Sequence, residues 1–169
     1  MLRDLPARAR WYIVAVIAIG ATLFVTLIPR ATFTPLLPLV FLIALSSLTS
    51  AFKVQFPIAS GSNMSVSYVV DIAALILRGP HATMLVGAIT AWSQTTLGAK
   101  GQNPVYRTLF NMAILVITIQ ASGQVYEWLG GTAHPELSAA IAVPLVGMAL
   151  TYFIVNMILI AVAIALTMQ

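Results

Sequence analysis

Apolar residues run through this chain in long blocks, not in alternation, and short polar breaks divide the blocks. Six blocks stand out, at residues 11–28, 36–52, 64–77, 81–97, 105–128 and 137–169. Each reads as a helix, because a membrane-spanning barrel would show alternating segments of about 10 residues. The breaks carry turn chemistry: Pro29-Arg30 and Pro35, a loop at 54–63 with Pro57 and Gly61, Arg78-Gly79-Pro80, a polar turn at 98–103 closed by Pro104, and a loop at 130–135. The third block is short, about 21 Å as a helix at 1.5 Å per residue. It therefore has to lie among longer helices, or be extended by the preceding loop dipping inward, to match a hydrocarbon core of about 30 Å. The last block is longer than one comfortable span, and only Pro144 and Gly147 could turn it. It reads as one long helix kinked at Pro144.

Composition turns this pattern into a class. The chain has 169 residues, 60% of them hydrophobic and 7% charged, against about 25% charged in soluble domains. The expected fold is an all-α polytopic membrane bundle of about six transmembrane helices. The absence of cysteine excludes disulfides and thiolate chemistry. A net charge of +4 is no nucleic-acid footprint, because the basic residues sit mainly at the ends of apolar blocks. Residues 1–10 form a basic lead with Arg3, Arg8 and Arg10 against Asp4, followed by an apolar run too long for a signal peptide. With the N-terminus in the cytoplasm, Arg3, Arg8, Arg10, Lys53, Lys100 and Arg107 fall inside, while Arg30, Arg78, Glu127 and Glu136 fall outside. That asymmetry sets both termini in the cytoplasm of a multi-pass bacterial inner-membrane protein. Residues 11–169 read as one transmembrane domain, expected to continue into a cytoplasmic segment beyond Gln169.

Candidate chemistry is sparse. The central stretch SGSNMSVSYVVDIAALILRGPHATMLVGAITAW, residues 60–92, places Asp71 inside an apolar helix. A carboxylate at bilayer depth costs about 2.5–3.5 kcal/mol on the mild scales, so it has to face the interior and find a partner. Arg78 is about 10 Å further along the same helix, better placed to snorkel to the interface. Arg107 and Asn111, spaced i, i+4 on the fifth helix, are the expected partners, forming a polar cluster with Asp71. That cluster either locks the bundle or marks a ligand, ion or proton site. Ser46, Ser47, Thr49 and Ser50 can bond their own helix carbonyls and need not line a site. Gln120 and Asn156 are mid-helix amides. With Asp71 and the aromatic walls Tyr68 and Trp92, they compose the expected ligand pocket, opening toward the outer face among helices three to six. His81 beside the Gly-Pro turn reads as an interfacial residue. Nothing stands at metal-ligand spacing from it, so neither a metal nor a cofactor is expected. No Walker motif, HExxH or Ser/His/Asp set occurs, and enzyme chemistry is not expected.

The hairpin LILRGPHATMLVGAITAW, with its polar lead, resembles the membrane substrate-binding S subunits of energy-coupling-factor transporters. It also resembles the membrane-associated sensor domains N-terminal to bacterial HD-GYP and GGDEF signalling proteins, which QNPVYRTLFN suits better. The S-subunit resemblance implies six helices, cytoplasmic termini and an outward-facing small-molecule pocket. That family's docking alanines, four apart on the first helix, are replaced here by Ala15 and Ala18, three apart. Three functions follow: a sensor passing a signal to a cytoplasmic domain, an uptake subunit working with an ATP-driven partner, or a structural anchor. The expected partners are the lipid bilayer, a small molecule, one of those two cytoplasmic components and a second copy in a homodimer, but no nucleic acid.

Overall fold

A computed structural model describes residues 5–50, 53–55, 63–65, 67–96, 104–132 and 139–168. Helix α1, Ala7–Leu27, runs on into a 3-10 turn, Ile28–Arg30, and is followed by α2, Leu36–Ser50. Strands β1, Lys53–Gln55, and β2, Asn63–Ser65, pair antiparallel. Then come α3, Ser67–Thr96, α4, Val105–Trp128, and, after a 3-10 turn at Ala139–Ile141, α5, Ala142–Thr167.

The long α3 is two helices. Gly79 has φ +74° and ψ 171°, outside helical space, and a positive φ of this kind suits a residue without a Cβ. Pro80 then opens the second limb, in the first-turn position where its missing N–H costs nothing. The limbs fold back on one another, because Gln94 Nε2 donates to Ser67 Oγ at 3.1 Å. A straight helix would separate these residues by about 40 Å.

Four segments are long and apolar enough to cross a membrane: Ala7–Arg30, Ser67–Thr96, Val105–Trp128 and Ala139–Thr167. The second of these segments is folded into two limbs at Gly79, and α2 is a shorter apolar helix. These helices fit a membrane protein. Two ends of the bundle can be distinguished. The upper end holds Gly79 and the α1–α2 connection, where Arg78 donates to the carbonyls of Phe33, Thr34 and Pro35. The lower end holds the starts of α1 and α4 and the close of α5, where Tyr12 OH donates to the Leu159 carbonyl and packs edge-on to Phe110.

Helix α4 is the hub. It packs against α1, α3 and α5, while α2 packs on α3. Lipid tails are as apolar as leucine, so helices gain little by hiding from them and associate where small residues let backbones close. Gly20 of α1 lies on Ala113 of α4, and Gly123 of α4 lies on Pro80. The outer helices are lightly covered: 17% of the α1 window and 11% of the α5 window are buried, against 50% for α3 and α4.

Boundaries differ from the sequence expectation in instructive ways. The α4 limits coincide with it. Helix α1 begins at Ala7 inside the expected basic lead, because Pro6 starts it and Ala7 to Arg10 are good helix formers. The expected third helix begins at Ser67, not residue 64, since Asn63–Ser65 pairs with Lys53–Gln55 across the two ends of the expected loop. No kink follows from Pro144, because α5 begins at Ala142 and the proline sits in its first turn. The end of the second helix at 51–52, Lys100 and Glu136 lie outside the described residues.

The α1–α4 contact sets a test. A Cβ added at Gly20 would lie 2.5 Å from the Ala113 Cβ and 2.6 Å from its Cα, so Gly20→Val has to push α1 away. A loss of about 1–3 kcal/mol is expected, read as a lower melting temperature in detergent. Unchanged melting would mean that α1 is not seated on α4.

Candidate functional site

Asp71 is fully buried, four residues into the first limb of α3. Its Oδ2 accepts from Tyr152 OH of α5 at 2.9 Å, and its Oδ1 accepts from Ser46 Oγ of α2 at 3.2 Å. Ser46 in turn lies 2.7 Å from Thr90 Oγ1 on the second limb of α3. One carboxyl group and three hydroxyls thus join four helical segments at a single depth. Ser46, Thr90 and Tyr152 are themselves buried.

The junction is the head of a polar seam. Toward the lower end, Ser93 Oγ donates to Ser47 Oγ at 3.3 Å, and the Gln94–Ser67 bond follows. Toward the upper end the same interface is apolar, formed by Leu39, Leu42, Ala74 and Val86. The polar side of Asp71 therefore faces the lower end.

The expected partnership of Asp71 with Arg107 and Asn111 is not what the structure shows. Arg107 is exposed near the lower end, where its Nε meets Tyr106 OH at 3.4 Å, and Asn111 is half-buried on α4. Among the described residues no cation pairs with Asp71, whose hydrogen bonds go to α2 and α5. Arg78 lies at the upper end, where its guanidinium folds over the α1–α2 connection.

Of the expected pocket residues, Asp71 and Gln120 belong to different hydrogen-bond systems. Gln120 is buried and donates to the Pro80 carbonyl at 3.1 Å, securing the start of the second limb in a hydrogen-bond system apart from that of Asp71. Tyr68 and Trp92 are 38% and 51% exposed. Asn156 is half-buried on α5, one turn beyond Tyr152. A cavity of about 200 Å³ lies elsewhere, among α1, the second limb of α3 and α4, lined by Gly20, Phe24, Ala88, Met112 and Val116 with other apolar residues. It contains none of the five expected pocket residues.

Three residues were missed. Thr49 and Ser50 do bond their own helix carbonyls, as their cluster suggests, but Ser46 reaches across to Asp71. Thr90 was hidden as one more small residue in an apolar run. Tyr152 carried a signal, because it is the lone tyrosine in the last apolar block. A phenol so deep in hydrocarbon needs an acceptor. No protein-family model, curated protein or solved structure matches this chain.

Replacing Asp71 with leucine leaves the buried Tyr152 hydroxyl without an acceptor, at an expected cost of about 1–3 kcal/mol. Tyr152→Phe, which removes one bond, should cost about 1 kcal/mol. Tyr68→Phe, at an exposed ring, should cost nothing measurable. Thermal unfolding in detergent ranks the three, and equal melting for all of them would mean that the junction holds nothing together.

Proposed function

We propose that this chain is a non-enzymatic membrane input module, in which the Asp71 junction reports a change of state to α5. The observation that carries this reading is the Tyr152–Asp71 hydrogen bond. It ties a helix covered over only a small part of its surface to a buried acid at the meeting point of α2 and both limbs of α3. A ligand or charge change at that acid alters what holds α5 in place. The resemblance of the hairpin to bacterial sensor domains points the same way.

The topology that accompanies this reading has six membrane-crossing segments, counting α2 and the two limbs of α3 separately, in a bacterial inner membrane. Arg8, Arg10, Arg107 and the β1 segment carrying Lys53 gather at the lower end. Arg30, Arg78 and Glu127 gather at the upper. Positive charge is retained on the cytoplasmic side, so the lower end is assigned inward. The module would pass its signal to a cytoplasmic signalling domain through α5.

Reporter fusions test the orientation: a fusion after Gly131 should report the outside and one after Gln169 the inside, and the reverse pattern would overturn it. Spin labels at Arg8 and Thr167, near the lower ends of α1 and α5, test the coupling in liposomes. Both Asp71→Asn and Tyr152→Phe should shift or broaden the label separation relative to the unsubstituted junction. An α5 that keeps its distance in both variants would leave a structural anchor as the better reading.

A further inference from the structure

We infer that Asp71 is a proton-binding site, filled and emptied from the lower end of the bundle through Thr90 and Ser46. This deepens the input-module reading by naming what the site takes up. A charge buried in a low-dielectric interior is normally paired or neutralised, and among the described residues no cation pairs with Asp71. Among the described residues, α2 presents the Ser46 hydroxyl to it and α5 presents Tyr152, while on α4, which packs against α3, the charged or titratable groups are Tyr106 and Arg107 at its lower end and Tyr126 and Glu127 at its upper. On α3 itself the other charged or titratable groups are Tyr68, exposed one turn before Asp71 on the first limb, and Arg78 and His81, both at the upper turn. Arg78 is already engaged with three backbone carbonyls.

The hydrogen bonds admit two complete arrangements. Thr90 Oγ1 has one proton and two acceptors in reach, Ser46 Oγ at 2.7 Å and the Val86 carbonyl at 2.8 Å. In the first arrangement Thr90 donates to Ser46, Ser46 donates to Asp71 Oδ1, and the carboxylate is ionised. In the second, Asp71 carries a proton on Oδ1 and donates to Ser46, Ser46 donates to Thr90, and Thr90 donates to Val86. Tyr152 donates to Oδ2 in both. Every hydroxyl is satisfied either way, and no heavy atom has to move. The two differ by one proton. It arrives from water at Thr90 Oγ1, the Thr90 proton passes to Ser46, and the Ser46 proton passes to Asp71. Loss of the proton reverses each transfer.

The side of entry follows from the seam. Ser47 and Ser93 stand next to Ser46 and one turn from Thr90 toward the lower end, and Ser67 and Gln94 lie beyond them. Toward the upper end, Leu39, Leu42, Ala74 and Val86 line the interface with hydrocarbon, and the buried Thr83 hydroxyl above Thr90 is turned back onto the Gly79 carbonyl. Protons therefore exchange with one aqueous phase and not with both.

Infrared spectroscopy of the full chain in liposomes tests this. A carboxylic-acid C=O band should grow as pH falls and be absent in Asp71→Asn, which keeps the shape and one acceptor oxygen. Should that variant fail to fold, Tyr152→Phe serves in its place, by shifting the midpoint of the same band. The double variant Ser47→Ala, Ser93→Ala should slow hydrogen–deuterium exchange of this carboxyl about tenfold or more. No titrating band lost with Asp71 would overturn the site, and unchanged exchange in the double variant would overturn the lower-end route. Failure here is separable from failure of the input-module reading: a titrating Asp71 with an immobile α5 removes only the latter, and a mobile α5 with no titrating band removes only the proton.

Discussion

The rest of the bundle answers to one constraint: a carboxyl group buried in hydrocarbon must have its oxygens occupied. Asp71 meets it with two hydroxyl donors, Ser46 and Tyr152, drawn from helices on either side of α3. Neither donor is charged, so the acid is held in place without being neutralised. A guanidinium in the same position would have made a buried ion pair, which is difficult to open once formed. Hydroxyls hold more loosely and can reverse their direction of donation.

Packing elsewhere serves to present that junction. Because lipid gives helices no reason to collapse, α4 gathers its neighbours through close contacts at Gly20, Gly87, Gly123 and Gly147. Gln120 secures the start of the second α3 limb through the Pro80 carbonyl, and Arg78 fastens the upper connection. The result is a firm middle, α3 and α4, flanked by α1 and α5, which touch it along narrow strips. Function is better sought where a narrow strip contains a polar contact, and Tyr152 is such a place.

Much of the architecture was legible in the sequence. Pro104 and the apolar run after it mark α4 to the residue, Gly79-Pro80 marks the reversal, and the cost of a membrane carboxylate marks Asp71 as interior. The partners of Asp71 were not legible. Ser46 and Tyr152 lie 25 and 81 residues away, and which turn of one helix meets which turn of another depends on contacts no local pattern records. The exposure of Tyr68 and Trp92 is not legible for a related reason. In water an apolar stripe points to the core, but in a membrane both faces of a helix are apolar, and an aromatic ring suits either.

The one-residue reversal at Gly79 also fixes a register. Asp71 stands eight residues before it and Thr90 eleven after, and Ser46 bridges them only because the two limbs stop and restart at that point. A single residue inserted between Asp71 and Gly79 would turn the first limb by about 100° and swing the acid from the hydroxyls toward lipid. The length of the segment between Asp71 and Thr90 is therefore as much a part of the site as its side chains. Within it, substitutions that preserve spacing and the glycine should be borne far more readily than any insertion or deletion.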